Sequence, residues 1–492
     1  MNLDMLLPLI VYLLFVFGVA FYAYQKRKGQ SFLNEYYVGS RAMSGFVLAM
    51  TSAATYVGAS SFIGGPGAAY KFGLGWVLLA MIQVPVVILT LGAFGKRLAI
   101  LARKTNSVTI NDLLYARYQN RFVVWIASFS LLISFFAMMT VQFFGAGRLL
   151  ETTLGIPYQT AILIFAMTVG VYTFIGGFRA VVLTDTIQGV VMIVGTTLLL
   201  GGVIYATGGI ESAIATLESI DPNLITPYGI DARPLDFTFM LSFWMLVCFG
   251  IIGLPPLIVR SMAYKDSKAL HQGIIIGTVV VSFLMLGMHL SGVLGRALDP
   301  TLTVSDKIIP TLMLQVMPPV VAGVFLAAPM AAIMSSIDSM LIQASSTLIK
   351  DLYIAIKPEA IKNEQKIKRL STLTTLIFTI LLIIAALNPP EMLIWLNLNA
   401  LGGLEATFFW VILLGFLWKN ANATGAIFSM IGGLTSYGII VITGIKFWSF
   451  HSIIPATLIG LIAFLLGNYI QSRKDKMSTD LKSNNSLTDN TH

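Results

Sequence analysis

The chain has 492 residues, of which 57% are hydrophobic and only 11% charged, where an average soluble domain carries roughly 25% charged residues. A water-soluble protein of this length would need a charged surface that this sequence does not supply, so lipid must solvate much of its exterior. The net charge of +9 does not mark a nucleic-acid surface, because the basic residues sit in loops between apolar runs, and the single cysteine, Cys248, excludes a disulfide framework.

About 20 apolar residues cross the roughly 30 Å of a bilayer core, and by that ruler thirteen spans are expected. The first, 5–24, opens with MNLDMLLP and is followed by Lys26, Arg27 and Lys28. That order reads as an uncleaved span, not a cleavable signal. Further spans are expected at 45–66, 75–95, 122–146, 157–176, 181–206, 237–257, 271–295, 318–347, 370–388, 392–417, 422–444 and 452–471. Irregular backbone is not tolerated against lipid, so the fold class is an all-α membrane bundle; a barrel would show short alternating segments. Of the Lys and Arg residues, 25 fall on the side reached after the first span and 6 on the other. The positive-inside rule then places the N-terminus outside and the C-terminus in the cytoplasm of a bacterial inner-membrane protein. Two outer loops, 207–235 and 296–317, are long enough for short helices over an entrance. The polar tail, 477–492, reads as disordered.

Two spans are interrupted by small residues and proline. The second contains SAATYVGASSFIGGPG (52–67) and the seventh CFGIIGLPP (248–256). Glycine costs about 1 kcal/mol in a helix interior and proline about 3 kcal/mol. Packing through small residues explains one such span; two of them five spans apart have the spacing of an inverted repeat, because an odd count of spans flips the second copy. The chain then divides into 1–44, a first repeat at 45–206, an extracellular loop at 207–236, a second repeat at 237–417, two peripheral spans at 418–476 and the tail.

The ninth span contains AAPMAAIMSSIDSM (327–340). Ala332, Ser335 and Ser336 stand at i, i+3 and i+4 and share one helical face. Two hydroxyls and a carbonyl offer neutral oxygens suited to a monovalent cation, whereas carboxylate cages favour divalent ions; serines that bond back one turn along their own helix are the alternative. Asp185 and Asp338 lie toward the ends of their spans, where a carboxylate faces a cavity or a partner, or serves as an interfacial cap. Arg148 and Glu151 have the spacing of an ordinary helical pair, and Glu405 and His289 read as satisfied bundle residues, with a role as ligands the alternative. There is no phosphate-binding loop, no H-E-x-x-H and no histidine cluster, so the chain is not expected to be an enzyme or to be driven directly by ATP.

GSRAMSGF (39–46), SSFIGGPGAAY (60–70), YTFIGGFRAVVLTDTIQ (172–188) and MAAIMSSIDS (330–339) resemble the sodium:solute symporter family over about residues 30–450. The pair Gly176-Gly177 followed by Thr184, Asp185 and Gln188 is the most specific part. The resemblance implies a leucine-transporter-like core of five plus five inverted spans, alternating access and Na+ as coupling ion. It places sodium ligands on Ala54, Val57, Ala332, Ser335 and Ser336, and puts Asp185 on the sodium path. By position it places Tyr56, Gly58, Ser60, Ser61, Val247, Ile251 and Pro255 around the solute, with Gln142 and Asn397 or Asn399 as amide donors.

The stretches 60–83, 243–255 and 264–278 are similar to bacterial family members that carry pantothenate, which makes this small carboxylate the expected solute. Proline-carrying relatives have aromatic residues where this chain has Val247 and Ile251. Uptake of another monocarboxylate or amino acid is the alternative. A transporter-like sensor is a further one, although the short tail holds no output domain. The lipid bilayer is the expected surrounding, with no nucleic acid and no obligate protein partner.

Overall fold

The computed structural model describes residues 3–25, 41–230, 235–445 and 447–488; Lys26–Lys28 and part of the 39–46 motif lie outside them, as do Arg233 and Lys446. Among the described residues, eighteen α-helices follow in chain order. They are α1 (Leu3–Gln25), α2 (Gly45–Tyr56), α3 (Gly65–Phe72), α4 (Leu74–Met81), α5 (Lys96–Thr105), α6 (Ile110–Tyr118), α7 (Arg121–Leu154), α8 (Tyr158–Ala206) and α9 (Ile210–Ile220). The second half holds α10 (Phe237–Trp244), α11 (Pro255–Ser261), α12 (Ser267–Gly295), α13 (Ile308–Val316), α14 (Pro319–Ser346), α15 (Glu364–Ala385), α16 (Leu393–Leu417), α17 (Ala423–Thr443) and α18 (Ile453–Thr488). Among the described residues there is no strand, only an isolated bridge between Met43 and Tyr264.

Nine helices are long and apolar enough to cross a membrane among the described residues, or eleven when each of two bent pairs is taken as one span. The expected spans 157–176 and 181–206 are not separated: α8 runs unbroken for 49 residues. At 1.5 Å per residue it is about 74 Å long, more than twice a hydrocarbon core. The GGFR stretch at 176–179 contains no proline, and two glycines alone do not end a helix. The two loops expected on the outer side, 207–235 and 296–317, carry short helices, α9 in one and α13 in the other.

Both interrupted spans are bent, by 68° after α2 and by 47° before α11. At the first, Val57 leaves helical geometry (φ −85°, ψ 110°) and Gly58 follows it before a π-turn at Ser60–Gly64. At the second, Leu254 is extended (φ −78°, ψ 110°). It precedes Pro255, whose ring excludes the helical region for the residue before it. Pro255 and Pro256 then open α11, where their missing N–H groups cost nothing.

Around these broken helices pack α14 against α8, α12 against α2 and α16 against α7, with α1 covering α8 and α14. Arg148 and Glu151 do not pair with each other; Arg148 donates to Pro390 O (3.2 Å) and Glu151 meets Lys307 (3.0 Å). Each finds a better partner in a loop than its neighbour on the helix.

Beside Lys307, Asp306 is buried and its Oδ2 accepts from Leu393 N (2.8 Å), which caps α16. Burial pushes the Asp306 carboxyl up to about 7, with the Leu393 amide opposing the rise. A raised folded-state value means that this group's stabilising contribution is complete below the ordinary aspartate range and is lost as pH rises through about 7. The melting temperature of the purified protein is therefore expected to fall between about pH 5 and pH 8. Asp306→Asn should flatten that slope in thermal unfolding; an unchanged slope would remove Asp306 as its source.

Candidate cation and solute site

The end of α2 leaves carbonyl groups without helical partners. Ala54 O accepts from Ser335 Oγ of α14 at 2.7 Å, and Ser336 Oγ lies 3.4 Å from both Thr55 O and Val57 O. Ser335 Oγ is also 3.1 Å from Ala332 O. All five residues expected to hold sodium, Ala54, Val57, Ala332, Ser335 and Ser336, therefore meet at one buried point. The donor set is neutral oxygen throughout, carbonyls from the break and hydroxyls from α14, which is the chemistry that fits a desolvated monovalent cation. Gly58 is fixed by close approach: a Cβ there would stand 2.7 Å from both Ser336 Oγ and Gln142 Oε1.

A cavity of about 70 Å³ adjoins this point. Tyr56, Gly58, Ser60, Ser61, Gln142, Val247 and Asn397 line it, as the sequence led one to expect, and so does Ser336 of the cation cluster. Ile251, Pro255 and Asn399 do not. The seventh span passes from α-helix to a π-turn at Met245–Phe249 and then to a 3₁₀ turn at Gly250–Gly253. These changes of winding rotate the facing positions, so Leu254 and Pro256 point inward in place of Ile251 and Pro255. Asn399 stands two residues, or about 200°, beyond Asn397 on α16 and so faces elsewhere; its carbonyl accepts from Tyr437.

Several lining residues escaped the sequence reading. Gln83 accepts from Tyr56 Oη at 2.6 Å, and an amide inside the apolar run WVLLAMIQVP was its available signal. His289, expected as a satisfied bundle residue or a ligand, lines the cavity, with its Nδ1 held 2.6 Å from Met285 O. Trp76 and Phe243 close one side edge to face at 5.8 Å, and Trp395 meets Trp76 edge to face at 5.7 Å.

One turn from the cation cluster lies a buried ion pair. Asp185 of α8 accepts from Arg260 of α11 at 2.9 Å, and both side chains are fully buried. Thr51 of α2 donates to the same carboxylate at 2.7 Å, while Arg260 also donates to Ser339 of α14 at 2.6 Å and to Thr51 O at 3.1 Å. Counting Arg260 among loop charges was wrong: it tucks inward, where only a carboxylate makes a guanidinium tolerable. Asp338, one residue before Ser339, is likewise buried. Glu405 differs from the expectation of a satisfied residue, since neither carboxylate oxygen has a hydrogen-bond partner among the described residues.

Residues 36–433 match the sodium:solute symporter family. The chain belongs to that family. It is 65% identical over 474 residues to the sodium/pantothenate symporter of Haemophilus influenzae, covering 96% of this chain and 98% of the relative. It is 58% identical over 468 residues to the protein of the same name in Escherichia coli, covering 95% and 97%. In three dimensions it is similar to a Na+-coupled sialic acid symporter, with a TM-score of 0.79 at 19% identity over 96% of this chain and 97% of the other. At that identity the likeness concerns the fold, a bundle of helices shared with a sodium-coupled transporter. As a family member this multi-pass chain is a sodium-coupled secondary transporter, and the neutral oxygen cluster is the part of it suited to the coupling ion.

Removing one member of a buried ion pair costs about 3–5 kcal/mol, because the other charge is stranded. Arg260→Ala and Asp185→Ala are each expected to lower the thermal stability of the symporter sharply. The double variant should lose clearly less than the two effects combined. Strict additivity in a melting-temperature cycle would mean that the pair is not coupled as its geometry requires.

Proposed function

We propose that the chain carries pantothenate into the bacterial cytoplasm together with sodium, and that it is a transporter without enzymatic activity. The observation that carries this reading is near-full-length identity of 65% and 58% to two sodium/pantothenate symporters. It is supported by a cation-suited oxygen cluster set against a polar-lined cavity. The proposed topology has thirteen spans in the order one, five, five and two, with α8 making two crossings, the N-terminus outside and the C-terminus in the cytoplasm.

Pantothenate bears one carboxylate, hydroxyls and an amide. Carrying its negative charge into a cell that is negative inside costs about 2.3 kcal/mol per 100 mV. A co-transported sodium ion cancels that cost. In the proposed mechanism Ala54, Val57, Ala332, Ser335 and Ser336 ligate sodium, which fastens the broken second span to α14. Asp185, beside Ser339 on the same side of the cluster, orients the surrounding helices and lies along the sodium path.

The helix restarting after Gly58 presents its positive end toward the cavity. There Gln142 Oε1 accepts from Ala59 N at 2.7 Å, the acceptor position that the solute's carboxylate would take over. Tyr56, Ser60, Ser61 and Asn397 supply further polar contacts, while Val247 shapes the apolar wall. The cavity is far smaller than the 300–1,000 Å³ of an open small-molecule site. Binding and release therefore require the broken helices to swing apart.

Labelled pantothenate is expected to accumulate in proteoliposomes only under an inward sodium gradient. Ser335→Ala and Ser336→Ala should each raise the sodium concentration for half-maximal uptake by about tenfold, the loss of one polar ligand being worth about 1–1.5 kcal/mol, with protein levels maintained. Unchanged sodium activation in both variants would sink the ligand assignment, and sodium-independent uptake would sink the coupling.

A further inference from the structure

Glu405 sits twelve residues into α16 and is fully buried, with neither carboxylate oxygen hydrogen-bonded among the described residues. It lies against the end of the π-turn that precedes the second helix break. A Cβ added at Gly250 would collide with Glu405 Oε2 and would stand 2.8 Å from Met245 O. Glycine at 250 thus lets the carboxylate close onto the backbone of the π-turn, next to the Met245 carbonyl. Gly253 extends the close fit, since a Cβ there would meet Phe409 N at 3.2 Å.

The titratable groups that face Glu405 are Tyr56 from the first broken span, Cys248 from the second and Tyr437 from α17. None of these is a cation. The contrast with Asp185 is direct: that carboxylate accepts from Arg260 and Thr51, whereas Glu405 lies against the π-turn with no cationic side chain beside it among the described residues. A carboxylate in a membrane core is retained where a mobile cation or a fixed one neutralises it. No fixed one is present among the described residues.

We infer that Glu405, with the carbonyl groups of the Met245–Gly250 turn, forms a second monovalent-cation site, occupied by sodium or by a proton during transport. This site is distinct from the Ser335–Ser336 cluster: it lies behind the second broken span instead of at the end of the first. Leu401, one turn before Glu405 on α16, lines the solute cavity, so occupancy of the site and the seating of the second broken span against α16 are linked. The charge carried per cycle follows. With one cation at each site and one solute anion, the cycle moves one net positive charge inward.

This inference rests on the sodium-coupled pantothenate reading, and the test separates the two. Proteoliposomes bearing the full chain are given a sodium gradient, with or without an imposed inside-negative potassium diffusion potential. If the parent takes up no pantothenate, the transport reading fails first. If it does, the limiting accumulation ratio should rise by about 50-fold per 100 mV of inside-negative potential, the value for one net charge. Glu405→Gln, which keeps shape but removes the charge, should still accumulate pantothenate with sodium and lose that dependence on potential.

Labelled sodium and an entrapped pH dye distinguish the occupants. Two sodium ions per solute assign the site to sodium, and one sodium plus one proton assign it to a proton. A parent protein that moves one sodium and no proton per solute overturns the inference, even if the variant does not fold. So does a Glu405→Gln protein with undiminished response to potential.

Discussion

A backbone that runs through lipid must satisfy its own hydrogen bonds, and two interruptions of that rule organise the protein. Each break frees carbonyls at the end of one half-helix and amides at the start of the next. Water is not there to absorb them, so neighbouring side chains must. At the first break Ser335 takes up Ala54 O and Gln142 takes up Ala59 N. At the second, the chain passes through a π-turn and a 3₁₀ turn that re-pair part of its backbone within the segment. The site is thus made from the cost of breaking helices in a membrane: the groups that relieve the cost are those that a cation and a carboxylate can displace.

The buried Asp185–Arg260 pair explains why two separately broken spans act as one unit. Its members come from α8 and α11, while Thr51 of α2 and Ser339 of α14 complete the cluster. Ser339 in turn donates to Ser335 O, one turn along α14, so the ion pair and the proposed cation ligands share a helix face. Such a pair contributes little net stability against a well-packed apolar alternative, yet is expensive to break. It therefore favours discrete arrangements over gradual deformation, as a carrier with alternating access needs.

Much of the architecture was legible because lipid simplifies the code. Apolar length gives the spans, and Gly58 and the Pro255-Pro256 pair mark where two of them bend. The serine face of α14 followed from helical spacing alone, and the carbonyl half of the cluster from family likeness. The failures have physical causes. Span boundaries cannot be read where no proline or polar residue ends a helix, as in α8. Changes of winding rotate side chains away from α-helical positions, which moved Leu254 and Pro256 into the cavity wall. Arg260 was placed in a loop because one charge beside an apolar run looks like a topology signal until its partner, 75 residues away, is brought alongside.

Two of the buried carboxylates, Asp185 and Glu405, bring these threads together. Asp185 is neutralised by a guanidinium on the same chain, a counter-ion whose contacts tie four helices. Glu405 has no such tether among the described residues, and the glycine at 250 lets its carboxylate lie directly on the π-turn backbone. A charge that only held the fold would be served as well by an arginine, as at Asp185, or by an apolar residue of similar volume. The physical distinction between the two is mobility: a fixed cation stabilises one arrangement of the helices, and an exchangeable one lets arrangement depend on what is bound.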